Sequence, residues 1–187
     1  MHVSPSPRFT SVLGDPMKRS GMIVLFVVVC LSVHSQAALP STASFQVGFS
    51  PGGTALAVVQ KAIAVAKTEI LMACHEFTSR DIAESLEAVA HRGVKVRIVA
   101  DWKASHDKYS QIRILKSAGI PIRLDEQYAI DHNKFMVVDG VTLETGSFNY
   151  TDGAVKRNVE NALVLWNAPQ VAAVYGKEWQ RLWAESK

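Results

Sequence analysis

The sequence predicts an α/β domain built on a mixed β-sheet with helices on both faces. Two patterns carry this expectation. Strand-like and helix-like segments alternate from residue 44 to 124, which demands parallel strands joined by right-handed crossovers; a hairpin pattern at 135 to 145 then adds antiparallel pairs. The composition agrees: 187 residues, 48% hydrophobic and 20% charged, exclude a disordered chain, a collagen-like polymer and a polytopic membrane protein.

Each element follows from its spacing. Ser44 to Phe49 reads as a strand, broken by Pro51-Gly52-Gly53, after which Leu56, Val59, Ile63 and Ala66 recur at helical spacing. Glu69 to Cys74 is a second strand. Thr78 or Ser79 caps a helix with Ile82, Leu86 and Val89 on one stripe, and Gly93 ends it. Val94, Val96 and Ile98 alternate with Lys95 and Arg97 in a strand to Ala100, followed by a polar loop over Asp101 to Asp107. A helix is expected over Tyr109 to Ser117 and a short strand over Ile122 to Leu124. Phe135 to Val138, the turn Asp139-Gly140 and Thr142 to Thr145 form the hairpin. Asn161 to Trp166 is the last strand, and Pro169 opens a final helix carrying Val171, Val174, Trp179, Leu182 and Trp183.

The N-terminus is of another kind. Lys18 and Arg19 precede an apolar run from Met22 to Leu31 and the small-residue pattern Ser35-Gln36-Ala37. Residues 1–37 are therefore expected to be a signal peptide, with translation starting at Met1 or Met17, and 38–187 a single domain that is periplasmic or secreted. The run is shorter than the ~20 residues of a spanning helix, so no stable membrane insertion is expected after cleavage. Without residues 1–37 the 20 basic and 17 acidic residues lose Arg8, Lys18, Arg19 and Asp15, and bulk charge points to no partner. Cys74 is then the remaining cysteine, in an apolar run that marks it as an inert core residue.

The chemistry concentrates between His132 and Glu160. His132-Asn133-Lys134, Asp139, Gly146-Ser147-Phe148-Asn149 and Asn158-Val159-Glu160-Asn161 follow in order. The period of two along extended chain puts His132 with Lys134 on one face, and Ser147 with Asn149 on another. An imidazole, an ammonium, a hydroxyl and an amide so gathered can hold a tetrahedral anion, and a neutral imidazole can attack its phosphorus. Glu160 can hold the other ring nitrogen.

His-x-Lys, four residues, Asp, six residues, Gly-Ser-x-Asn resembles the signature of the phospholipase D superfamily. With Ser50-Pro51-Gly52, Phe77-Thr78-Ser79 and Tyr128-Ala129-Ile130-Asp131 the chain is similar to single-motif, Nuc-type bacterial endonucleases over nearly all of residues 38–187. The resemblance implies a phospholipase D-like fold and a catalytic set of His132, Lys134, Asn149, Glu160, Asp139 and Ser147. In it His132 is the nucleophile that forms a phosphohistidine, Lys134, Ser147 and Asn149 bind the phosphate, Asp139 is supportive, and Glu160 orients a histidine. It implies no metal and no cofactor. One motif is half a site, so a homodimer is implied, with one His132 on each side of phosphorus.

Other motifs carry less. His75-Glu76 fails as a zinc helix because Ser79 stands where a second histidine is needed, and it is read as a loop that could line the site. Trp102 to Tyr109 interleaves aromatics with cations, which suits either a phosphate backbone with unstacked bases or a solvated loop with Trp102 and Tyr109 tucked beneath it. Lys156-Arg157 could gather phosphates or be an exposed turn. Trp179 and Trp183 belong to the core or a dimer contact. The leading expectation is a metal-independent phosphodiesterase acting on nucleic acid. A cardiolipin-type lipid hydrolase of the same chemistry is the alternative, and a DNA-binding module with a decayed site is opposed by the intact His132, Lys134, Asn149 and Glu160.

Overall fold

A computed structural model describes residues 38–187, so the expected leader, with Met17 and Cys30, lies outside the described residues. Seven strands, β1 (Ser44–Ser50), β2 (Glu69–Cys74), β3 (Lys95–Asp101), β4 (Ile122–Asp125), β5 (Lys134–Val138), β6 (Thr142–Gly146) and β7 (Glu160–Trp166), form one sheet in the order β1-β7-β6-β5-β2-β3-β4. The β2, β3 and β4 strands are parallel, and the pairs β2·β5, β5·β6, β6·β7 and β1·β7 are antiparallel. This is the expected mixed sheet.

Its two faces are covered differently. Helices α1 (Thr54–Ala64) and α2 (Arg80–His91) pack through Val59, Ile63, Ile82 and Leu86 onto Ile70, Met72 and Ile98. The long α6 (Pro169–Glu185) covers the other face through Ala172, Trp179 and Leu182 over Leu71, Phe135 and Val137. Trp179 is a core residue whose indole donates to the Met72 carbonyl at 2.8 Å, and Trp183 stacks on it with centroids 4.9 Å apart. Burying such side chains, four from α1 and α2 on one face and three from α6 on the other, at roughly 1.5–3 kcal/mol for each large one, is what fixes both helix layers.

Two short helices depart from the sequence expectation. The polar loop after β3 holds α3 (Trp102–Ser105), because the buried Asp101 carboxylate caps it by accepting from the Ala104 N–H at 2.8 Å. Lys156 closes α5 (Asp152–Lys156), capped by the Thr151 hydroxyl on the Ala154 N–H at 3.1 Å. Conversely, the helix expected from Tyr109 begins only at Ile112, as α4 (Ile112–Ser117). The Tyr109 N–H is taken by Asp107 and the Gln111 N–H by the Phe77 carbonyl, which holds 107–111 as a turn. Trp102 and Tyr109 are exposed, 41% and 64%, which overturns the reading that tucked them under the loop.

One core residue is a carboxyl. Glu144, on β6 between Met136 and Val164, is fully buried and accepts the Tyr150 hydroxyl at 2.7 Å. Burial pushes its pKa from the usual 4.5 up to about 8, against the opposing effect of that hydrogen bond. The folded state thus binds a proton that the unfolded chain releases, so this group's contribution is full below pH about 4.5 and is lost as pH rises toward about 8. Urea unfolding is expected to show a loss on the order of 3 kcal/mol between pH 5 and 8, at about 1.4 kcal/mol per unit. Glu144→Gln should flatten that slope, and an equal slope in the variant would show that other groups set it.

Candidate active site

The site forms where β2 ends and β5 begins. Because the strands run antiparallel with Cys74 opposite Lys134, the residue after Cys74 and the residue before Lys134 lie at the same end of the sheet, and the His75 N–H donates to the Asn133 carbonyl at 2.9 Å. Lys134 starts β5 with its side chain buried, and its Nζ donates to the His132 carbonyl at 2.9 Å. Burial lowers its pKa, opposed by Glu160, Glu76 and Asp131. His132 stands exposed on the loop just before the strand. The Lys134 charge, then desolvation, then His75 depress the imidazole pKa, which favours the neutral, nucleophilic ring.

Beneath His132 lies a layer of carboxylates that sequence reading passed over. Asp131 Oδ1 accepts from both the backbone N–H and the side-chain amide of Asn133, at 3.2 and 2.6 Å, and Asp131 donates its own N–H to Asp101 at 2.9 Å. This fixes the loop that presents His132. The pKa of Asp131 is raised, first by burial, with Asp125 and Asp101 adding to it. Asp131 was legible only as a neighbour of the motif; what gives it a role is Asp101, thirty residues away in sequence.

The second motif segment approaches from β6 and β7. Phe148 and Tyr150 are fully buried, which turns Ser147 and Asn149 to the other side, as the period of two predicts. Gly146 is needed at the entry, since a Cβ there would stand 2.2 Å from the Asn161 carbonyl oxygen. Ser147 Oγ donates to Glu160 Oε2 at 2.6 Å and accepts from the Asn161 N–H at 3.1 Å, and Asn158 Nδ2 donates to Glu160 Oε1 at 3.0 Å. Glu160 is thus engaged by Ser147 and Asn158, and among the described residues no hydrogen bond joins it to His132. Asn149 Oδ1 is buried without a partner.

Asp139 is not brought to this cluster. It lies beyond the opposite end of β5, which at roughly 3.3 Å per residue puts its backbone about 17 Å from that of Lys134. Its carboxylate accepts the N–H groups of Lys67, Thr68 and Glu69 and the Thr68 hydroxyl, at 2.7 to 3.0 Å. Burial raises its pKa, and these hydrogen bonds outweigh that and hold it below the usual carboxylate range. Asp139 therefore ties the hairpin to the α1–β2 connection and works through the fold.

His75, read from the sequence as part of a loop that could line the site, does join it. Its ring lies 4.9 Å from that of His132, tilted by 58°, and its Nδ1 is buried without a partner. With Glu76, Lys103, His106, Arg157 and Asn158 it lines a cavity of about 830 Å³. The lone described cysteine, Cys74, is buried as expected.

Comparison with known proteins agrees with this geometry. Residues 59–183 match the protein-family model described as cardiolipin synthase, PLD-like domain, and the chain belongs to that phospholipase D-like family. More particularly it is a Nuc-type member. The fold matches the crystal structure of Nuc from Salmonella typhimurium, a phospholipase D family member, with a TM-score of 0.76 and 42% identity, covering 78% of this chain and 97% of that one. NucT from Helicobacter pylori matches with a TM-score of 0.70 and 25% identity, over 77% and 98% of the two chains. Among curated proteins, the human mitochondrial cardiolipin hydrolase is 32% identical over 138 residues, 74% of this chain and 54% of that protein. The chain spans about half the length of such relatives; the canine one is covered over 52%.

Proposed function

We propose that the chain is a metal-independent phosphodiesterase, an endonuclease that cleaves nucleic acid, DNA first, with little sequence preference at a site shared by two copies. The observation that carries the reading is the exposed His132, depressed in pKa, whose backbone carbonyl accepts from the buried Lys134 ammonium. An imidazole nitrogen of His132 attacks phosphorus and the bond to the leaving oxygen breaks, while the partner's His132 gives that oxygen a proton. The partner's imidazole, now neutral, takes a proton from water; the water oxygen attacks phosphorus, the P–N bond breaks, and both rings return to their starting states. Lys134, Ser147 and Asn149 hold the non-bridging oxygens, whose charge grows in each step. Glu160 keeps Ser147 and Asn158 in place.

Support for the second copy comes from an apolar strip beside the site. On the edge strand β1, Phe45 and Phe49 are 69% and 59% exposed, and Val159 in front of β7 is 87% exposed. Phe49 pairs with Asn161 and Ser50 with Glu160, so the strip runs up to the motif residues. A contiguous exposed apolar strip marks an association surface. Residues 1–37 are read as a leader for export, which makes the protein periplasmic or secreted.

Nucleic acid is preferred over lipid because the match to Nuc extends over nearly that whole chain, and because the cavity beside His132 is polar, with Lys103 and Arg157 set among the carboxylates of Glu76, Asp101 and Asp107. The names of the curated relatives keep cardiolipin as the second reading. The test is incubation of residues 38–187 with plasmid DNA, RNA and cardiolipin vesicles in excess EDTA. Nucleic acid cleavage that persists in the chelator is the expected result. Activity that returns only with added Mg²⁺ or Zn²⁺, or hydrolysis of the vesicles alone, would overturn it.

A further inference from the structure

A second cavity, of about 620 Å³, continues from the one beside His132, and Thr78, Gly153 and Arg157 line both. It is bounded by the start of α2, the 107–111 turn, α4 and the start of α5. Four cations face it: Arg80, Lys108, Arg113 and Arg157. Among the described residues that line it, Asp152 is the lone acid, and Lys156 pairs with it at 3.5 Å. Arg80 is shared with Glu84 at 3.5 Å, while Arg113 and Arg157 enter no salt bridge among the described residues.

The same wall carries an aromatic ring. Tyr109 is 64% exposed, Lys108 Nζ lies 4.7 Å from its centroid, and its backbone is fixed by Asp107. The turn itself is anchored to the strand-helix junction behind the site, where Gln111 donates to the Phe77 carbonyl at 2.8 Å. An exposed ring with Lys108 over it, on a wall shared with Arg113 and Arg157, suits a stacked base and the phosphate on either side of it. An acyl chain would find instead a wall of guanidinium and ammonium groups, whose desolvation it could not offset.

We propose that this cavity is a distal subsite for single-stranded polynucleotide, in which Tyr109 stacks a base, Lys108 and Arg113 hold the phosphates next to it, and Arg157 carries the strand across from the reacting phosphodiester. The inference rests on the nuclease reading above and deepens it. Its volume lies within the ~300–1,000 Å³ of small-ligand sites, enough for a nucleotide unit. The subsite contributes to binding of long substrates, and the reacting phosphate does not touch it.

The experiment compares the wild type with Lys108→Glu/Arg113→Glu and with Tyr109→Ala, using bis(4-nitrophenyl) phosphate as the minimal diester and a single-stranded oligodeoxynucleotide of about twelve residues. The kcat/KM ratio of long to minimal substrate is expected to fall roughly tenfold or more in the charge-reversed variant, through KM, and severalfold in Tyr109→Ala. The wild-type KM for the oligonucleotide should rise steeply with salt, and the variant's less so. An unchanged ratio, or equal losses on both substrates, overturns the subsite. A wild type that cleaves the minimal diester and cardiolipin vesicles but no oligonucleotide overturns the nuclease reading and the subsite with it, a result distinct from cleavage of both lengths without preference.

Discussion

Replacing His132 by alanine is expected to lower turnover by a factor on the order of 10⁴ to 10⁶ while leaving the fold intact, the scale seen when a nucleophile is deleted from a preorganised site. The fold should survive because the imidazole is exposed and the loop beneath it is held by Asp131, Asn133 and Asp101 rather than by the ring. Circular dichroism and urea unfolding of the variant should match the wild type. Single-turnover acid quench with a radiolabelled diester should trap a protein-bound phosphoryl group in the wild type and none in His132→Ala. A variant that retains near wild-type rate in a clean preparation would remove His132 from the reaction, and the Lys134 beneath it would then need another purpose.

The second large effect concerns subunit mixing. If both His132 rings serve one phosphorus, a heterodimer of wild-type and His132→Ala chains has an attacking ring without an acid, or an acid without a nucleophile, and it should be nearly inactive. Mixed, exchanged and tag-purified heterodimers are therefore expected to show a few percent of wild-type rate or less, instead of half. A carboxylate acid within one chain would give half. The geometry disfavours that route: Asp139 lies at the far end of β5, and Glu160 is occupied by Ser147 and Asn158. An active monomer on a sizing column would end the shared-site reading, whereas a Phe49→Asp variant that keeps both dimer and activity would show only that the apolar strip is not the dimer contact.

Much of this was legible in the chain because the relevant signals are local. The strand Glu69–Cys74 coincides with its apolar run, the Ser79 cap accepts from the Ile82 N–H as a cap should, and the alternation that buries Phe148 and Tyr150 also turns out Ser147 and Asn149. What stayed hidden depends on partners distant in sequence. The helix expected from Tyr109 starts only at Ile112, because the Gln111 N–H is taken by the Phe77 carbonyl, thirty-four residues earlier, alongside the local turn that Asp107 makes with Tyr109. Asp139 belongs to the motif by spacing, yet its contacts are with Lys67 to Glu69, some seventy residues earlier. His75 enters the site only because antiparallel pairing sets the end of β2 beside the start of β5, a registry that no local window contains.

That same registry sets the buried Cys74 opposite Lys134, directly under the reactive centre. Burial, with Asp131 and Asp101 adding, raises its thiol pKa far above the ordinary range, so no thiolate is available while β2 and β5 remain paired. The sulfur is in effect a natural clock. In a chain of residues 38–187, where Cys74 is the one cysteine, the rate at which an aromatic disulfide reagent develops colour measures how often the floor of the site parts, and an oligonucleotide bound at the site is expected to slow that colour in proportion to its occupancy.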